Sequence, residues 1–310
     1  MQRLRLGTRG SKLALWQADY VAGELRQVLP EIDIEIKIIK TKGDKILDVA
    51  LSKIGDKGLF TREIENELLA GDIDLAVHSM KDLPTFLAPG LVLGGVLKRE
   101  NPQDVLISNK GFNLTSLPRN GSVGTSSLRR IAQIRALRPD IRMVDLRGNV
   151  ETRIKKMEEQ DLDGIILAYA GVKRLDYTGK ISEMIATDIM LPAVGQGAIA
   201  IELREDDLNT LELISPISHL HTMLETMAER AFLRELEGGC QVPIASLARI
   251  KGDMLFIEGL VASMDGQRVI KESLIGDLNL AIEIGTSLAH SLLDKGAHSI
   301  LAEIRQLGES

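Results

Sequence analysis

RLRLGTRGSKLALWQADYVAGELRQV, residues 3–28, is the stretch whose reading decides the fold. Its first six residues alternate charged with apolar side chains, as a half-buried strand does. From Ser11 to Val28 the apolar positions Leu15, Ala18, Val21, Ala22 and Leu25 recur at helical spacing. Ile34 to Ile39 (IEIKII) alternates again. Phe60 to Leu69 follows as a second amphipathic helix with Thr61 at its N-cap, and DLAVH (74–78) is a short buried strand that runs into a polar loop. Strand, helix and strand in succession argue for βαβ units and a largely parallel sheet.

The pattern resumes after Asn101–Pro102. Asp104–Ser108, Ser122–Gly124, Arg142–Asp145 and Gly164–Ala168 read as strands, with helices starting near Ser126 and Val150. A further strand, Gly197–Leu203, follows a crossing at Leu191–Gly195 that contains proline and glycine, and it is placed to return to the first sheet. Beyond about residue 220 the character changes. A helix from His221 to Leu236 precedes three strand-like runs, Ala245–Ile250, Met254–Ala262 and Arg268–Ile275, which are joined by turns at Lys251–Asp253 and Asp265–Gly266. A last helix spans Asn279 to Leu293. Strands in sequence succession with terminal helices make an α+β unit. The expected division is therefore an α/β lobe from 1–98 and 197–216, a second α/β lobe from 99–196, and an α+β C-terminal domain from 217–310. The segment Thr41 to Gly58, with its two Gly-Asp-Lys triplets, reads as either a lid or an ordinary surface helix.

Composition narrows the function. At 310 residues, two or three domains are expected, and 44% hydrophobic with 26% charged residues is ordinary for a globular chain. One cysteine cannot form an internal disulfide, and no apolar run approaches the roughly 20 residues that span a bilayer. The N-terminus has no long apolar stretch and no small-residue cleavage site, so a cytoplasmic location is expected. Net charge is -6 and aromatic content only 3%, which makes nucleic acid a poor partner. The chain has no GxxxxGK[ST] loop and no GxGxxG after a strand, and five scattered histidines with one cysteine do not make a zinc site.

What remains is a distribution of arginines, 21 of the 38 basic residues, many of them where strands end. Arg9 and Ser11 follow the first strand, and Ser79, Lys81 and Asp82 follow DLAVH. Thr125, Ser127, Arg129 and Arg130 come after Ser122–Gly124, Arg147 after Arg142–Asp145, Arg153 in the first turns of the next helix, and Arg174 after Gly164–Ala168. Ligands of open α/β sheets bind beyond the carboxyl ends of strands, where helix N-termini favour anions. Arginine pairs with carboxylate or phosphate in bidentate fashion. A polyanionic ligand in one cleft is the reading. Asp82 is the acid among these cations, either a helix N-cap or a carboxylate that stabilises a developing cation or moves a proton. Cys240, in GGCQVP, is either a small buried hydrophobe or, in a glycine-loosened loop, a covalent anchor.

In order along the chain stand GTRGSKLALWQA (7–18), AVHSMKDLPT (76–85), GTSSLRR (124–130), DLRGNVETR (145–153), LAYAGVKRL (167–175), LPAVGQGAIAIE (191–202) and EGGCQVP (237–243). Together they resemble the porphobilinogen deaminase (hydroxymethylbilane synthase) family of tetrapyrrole and haem biosynthesis, nearly end to end. The resemblance implies two doubly wound lobes like those of periplasmic binding proteins, plus a small domain with a three-stranded antiparallel sheet. It implies a transferase that condenses four porphobilinogen molecules head to tail, releasing ammonia each time, on a dipyrromethane primer joined by a thioether to Cys240. Hydrolysis then frees hydroxymethylbilane. Asp82 would be the catalytic carboxylate. Arg9, Ser11, Ser79, Lys81, Thr125, Ser127, Arg129, Arg130, Arg147, Arg153 and Arg174 would hold acetate and propionate groups, and Lys57 and Phe60 would belong to a mobile loop over the cleft. No metal, nucleic acid or membrane is implied, and a monomer is expected. The competing expectation is a non-catalytic small-anion-binding protein with the same cleft.

Overall fold

The alternation along Arg3–Thr8 becomes strand β1 in the computed structural model, which describes residues 3–45, 58–236 and 242–309. Lys57, Cys240 and the stretch 46–57 of the expected lid lie outside the described residues. β1 pairs in parallel with β2 (Asp33–Ile38) and β3 (Leu75–Ser79). Helix α1 (Lys12–Val28) starts at Ser11, whose hydroxyl accepts the Ala14 N–H at 3.2 Å. It buries Ala18, Val21, Ala22 and Leu25 against Leu4, Leu6, Leu75, Val77, Ile199 and Ile201. Burying one such leucine or valine is worth about 1.5–3 kcal/mol, so this face, more than helix propensity, holds α1 in place. Helix α2 (Arg62–Leu69) begins at Thr61 as expected, without a side-chain capping bond, and buries Ile64 and Leu68.

The first sheet has the order β2-β1-β3-β10-β4, where β4 is Leu91–Val96 and β10 is Ile199–Arg204. The second sheet is built likewise. β5 (Asp104–Ile107), β6 (Ser122–Gly124), β7 (Arg142–Val144), β8 (Gly164–Ala168) and β9 (Ile181–Met184) take the order β7-β6-β8-β5-β9. Helices α3 (Leu128–Leu137), α4 (Val150–Glu159) and α5 (Tyr169–Arg174) follow β6, β7 and β8. Each sheet is largely parallel, as expected, with one strand reversed: β10 runs antiparallel to β3 and β4, and β5 antiparallel to β8 and β9. β5 and β10 are the strands that enter straight from the crossings between lobes. They start at the sheet end where the parallel strands finish, and so must run the other way. β10 returns to the first sheet, as its position in the sequence suggested.

The C-terminal part comprises α7 (Leu220–Glu235), strands β11 (Ile244–Lys251), β12 (Met254–Ala262) and β13 (Val269–Asp277), and helices α8 (Ala281–Leu292) and α9 (His298–Glu309); α6 (Leu208–Ile214) precedes it. The three strands form the expected antiparallel meander, with Phe232, Leu255, Ile257, Leu288 and Leu292 in its core. The sequence reading ended at one terminal helix. The chain continues into α9 after Gly296, whose φ of +100° breaks the helical run.

Both crossings between the lobes are tied to α7 by one carboxylate. Glu229, fully buried, accepts from Arg99 Nη1 at 2.6 Å, Arg99 Nη2 at 3.2 Å, Gly195 N at 2.7 Å and Ala248 N at 2.8 Å. Arg99 Nε also donates to the Gln196 carbonyl at 2.8 Å.

Candidate functional site

The site is assembled from strand ends. At the end of β1 the chain turns through Arg9, whose guanidinium lies 4.2 Å from the centre of the Phe60 ring, a cation–π distance. One residue of the expected loop thus meets one of the expected carboxylate binders. Ser11 is occupied as the cap of α1. At the end of β3, Ser79 Oγ accepts from Gln17 Nε2 at 2.9 Å, and Met80–Asp82 forms a single 3₁₀ turn. Met80 anchors that turn in the core while Asp82 is exposed.

From the second lobe, Thr125 is buried, and its Oγ1 accepts the Ser127 N–H at 3.2 Å where α3 begins. Arg129 and Arg130 open that helix and are almost fully buried, at 5% and 4% exposure, a depth that guanidinium groups reach only when paired. Their partner is Asp104 at the start of β5. It accepts from Arg129 Nη1 at 2.7 Å and from Arg130 Nη2 and Nε at 2.7 and 3.2 Å. Burial alone would raise the Asp104 carboxyl, but Arg129 and Arg130 outweigh it and hold the group well below the usual range. Arg147 Nε pairs with Asp145 at 3.2 Å, and Arg153 Nε donates to the Gly148 carbonyl at 2.7 Å.

The two strand-end sets act on one another's charge. Burial pulls Lys81 down to about 8; Arg130 and Arg129 push the same way, while Asp82 and Asp104 oppose them. Burial likewise brings Arg153 down to about 10, with Arg130 and Arg147 adding to the shift and Asp82 and Asp145 opposing it. Lys81 and Asp82 of one lobe and Arg129, Arg130 and Arg153 of the other therefore share one electrostatic environment. Arg174 stands apart from this group. Its Nη2 donates to the Gly197 carbonyl at 2.7 Å, its guanidinium lies 5.5 Å from the Trp16 ring centre, and the charges it feels are those of Glu100 and Tyr20.

Several groups around the site carried no mark in the sequence. Asp104 and Gln17 head or face apolar runs and were read as parts of a strand and a helix. Arg230 of α7 donates to the carbonyls of Leu83 at 3.1 Å and Pro84 at 2.6 Å, and Arg234 one turn later to that of Thr85 at 2.7 Å. Two arginines of the C-terminal part thus hold the three residues that follow Asp82. Their spacing of four on a helix was the available signal, but nothing pointed it at residues 83–85.

The family profile "Porphobilinogen deaminase, dipyromethane cofactor binding domain" matches residues 4–212, and "Porphobilinogen deaminase, C-terminal domain" matches 223–294. The porphobilinogen deaminase of Syntrophomonas wolfei is 59% identical over 306 residues, covering 99% of this chain and 100% of the relative. That of Carboxydothermus hydrogenoformans is 57% identical over 301 residues, 97% of each chain. A solved structure titled as an arginine-specific periplasmic binding protein of Salmonella typhimurium overlays 70% of this chain and 92% of its own at a TM-score of 0.38 and 13% identity, too loosely to carry an argument. With two profiles and near-complete relatives in agreement, the chain belongs to the porphobilinogen deaminase family.

Proposed function

We propose that this chain condenses four porphobilinogen molecules head to tail on a dipyrromethane held by Cys240, releases ammonia at each addition, and finally hydrolyses off hydroxymethylbilane. The observation that supports the reading is that Lys81 and Asp82 of one lobe and Arg129, Arg130 and Arg153 of the other lie close enough to act on one another's charge. The donor set fits a carboxylate-bearing cofactor. Burial and mutual repulsion disfavour the charged forms of Lys81 and Arg153, and an anionic side chain between them relieves both. When bound, the dipyrromethane supplies a nucleophilic pyrrole end on which a chain can be built.

The residues divide the work. Lys81, Arg147 and Arg153 receive acetate and propionate groups, with Arg9, Ser79, Thr125, Ser127 and the α3 N-terminus at the edges of the groove. Arg129 and Arg130 contribute the N–H groups that Asp104 leaves to them. Ser11, from the start of α1, and Arg174, beside Trp16, complete the proposed set of acetate and propionate binders. As ammonia leaves porphobilinogen, the electrons of the C–N bond go with nitrogen and positive charge passes to the pyrrole ring. Asp82 stabilises that charge and takes up the proton that carbon–carbon bond formation releases. Phe60, against Arg9, is the described residue of the loop proposed to cover the site.

The proposed domain limits are 1–98 with 197–216, then 99–196, then 217–310, a division that the separate sheets support. Among the described residues no helix is long and apolar enough to cross a membrane; a cytoplasmic monomer is the proposed form. A non-catalytic anion-binding protein is not favoured by the family assignment. Intact-mass measurement of the purified protein, paired with an assay of ammonia released from porphobilinogen, tests the reading. A mass two pyrrole units above the sequence together with turnover is expected. An unmodified mass without turnover overturns it.

A further inference from the structure

Consecutive residues on an α-helix project about 100° apart and do not face a common point. Arg129 and Arg130 are consecutive in the first turn of α3, yet their forks converge. The cause is Asp104, fully buried, whose Oδ2 takes Arg129 while its Oδ1 takes Arg130. Each arginine is then fixed from a second side by a backbone carbonyl, Leu191 for Arg129 at 2.7 Å and Ile166 for Arg130 at 2.8 Å. The carboxylate is itself held. Gln196, 1% exposed and in the second crossing between lobes, donates from Nε2 to Asp104 Oδ1 at 3.0 Å and to the Pro102 carbonyl of the first crossing at 2.7 Å. Its Oε1 is buried without a hydrogen-bond partner, so the two acceptors alone set the amide. Leu191, at the start of the same crossing, is fixed in turn by Gln133 Oε1, which accepts its N–H at 2.8 Å.

We infer that Asp104, oriented by Gln196, is a positioning residue for the condensation: it gathers two diverging arginines onto one carboxylate-receiving point and ties that point to the crossings between the lobes. The inference rests on the functional reading above. Placement of binding groups matters at this level, since an error of about 1 Å at a reacting site can cost roughly 100-fold.

The test uses the purified holoprotein, loaded with its primer as verified by intact mass, and porphobilinogen as the probe. Asp104→Asn keeps the shape and removes the charge. It is expected to lower kcat/KM about 100-fold, with KM raised. Gln196→Leu removes only the orienting donor. An increase of about ten-fold in KM is expected, the scale of one hydrogen bond to a charged group, with the melting temperature little changed. A merely structural role would lower the yield of folded, loaded protein and leave KM of the remainder unmoved. That result, or wild-type KM in both folded variants, overturns the proposal. If Asp104→Asn does not fold, Gln196→Leu decides alone, and an unchanged KM there overturns it. Wild-type protein that consumes no porphobilinogen overturns the functional reading and this inference together, whereas active wild type with unaffected variants overturns the inference only.

Discussion

Replacing Glu229 by Gln changes one atom type at the junction of the lobes and the C-terminal part. The carboxylate now accepts four N–H bonds, two from Arg99 and one each from Gly195 and Ala248. In Glu229→Gln the amide oxygen can keep the pair at Oε1, Arg99 Nη1 and Ala248 N. The amide nitrogen then confronts Gly195 N and Arg99 Nη2, donor against donor. Each buried group left without an acceptor costs about 1–3 kcal/mol, and Arg99, with its side chain only 7% exposed, also loses its counter-charge. Breaking a buried pair from one side typically costs about 3–5 kcal/mol. At about 2–4 °C per kcal/mol for a chain of this general size, the melting temperature should fall by roughly 6–20 °C. Differential scanning calorimetry of wild type and variant, at equal primer loading, measures it. The crossings should also exchange amide hydrogens faster, because Gly195 loses its acceptor. A fall of less than 2 °C with unchanged exchange at Gly195 would refute the claim that this carboxylate locks the crossings to α7.

Three further outcomes follow from the same geometry. Lys81 has a folded-state pKa of about 8, below the ordinary 10.5, so its charge is complete only under that value and KM for porphobilinogen should rise as pH passes 8. In Lys81→Arg that rise should move out of the measurable range, and identical KM–pH profiles would count against a role for Lys81 charge. The same shift has a stability sign: the penalty is full below pH 8 and is relieved between 8 and 10.5, so the contribution of Lys81 improves with rising pH across that window. Asp82→Asn alters an exposed side chain, so melting should stay within about 2 °C while turnover falls roughly 100-fold or more; near-normal turnover removes Asp82 from the chemistry. Gly285→Ala would put a methyl group 2.1 Å from the Ala228 carbonyl oxygen, forcing α7 and α8 apart at a cost of about 1–3 kcal/mol. Urea denaturation checks this, and an unchanged midpoint would mean that the helices are not packed at this distance.

Which parts of the molecule could be read beforehand follows from the range of each signal. Local period reveals β1 and α1 because Leu4 and Leu6 alternate while Ala18, Val21, Ala22 and Leu25 recur on one face. The rule that ligands sit beyond strand ends collected Lys81, Asp82, Arg129, Arg130 and Arg153, which follow different strands yet influence one another's charge. β4 escaped because Gly94 and Gly95 carry no strand propensity. They are there since a Cβ on Gly94 would lie 2.2 Å from Leu203 of the neighbouring strand. Strand direction escaped because it depends on which end of the sheet a crossing enters. Asp104 escaped for a different reason: it heads the apolar run DVLI, and its partners lie 25 and 26 residues away. The contacts of Arg174 with Trp16 and Gly197 were out of reach for the same reason, since neither neighbour is near it in sequence.

A groove made to grip a chain of carboxylates must exist before the carboxylates arrive, and this sets a physical conflict. Cations gathered in a sheltered place repel one another and lose hydration, which is why Lys81 and Arg153 are displaced downward. If every cation were left so, the groove would open. If each were paired with an acid, nothing would remain to bind substrate. The structure takes a graded course. Arg129 and Arg130 share one carboxylate rather than having one each, Arg147 leans on the more exposed Asp145, and Arg153 is steadied by the neutral Gly148 carbonyl. Positive charge is thereby held in place but not cancelled. The exposed Asp82 is the carboxylate that opposes the downward displacement of both Lys81 and Arg153.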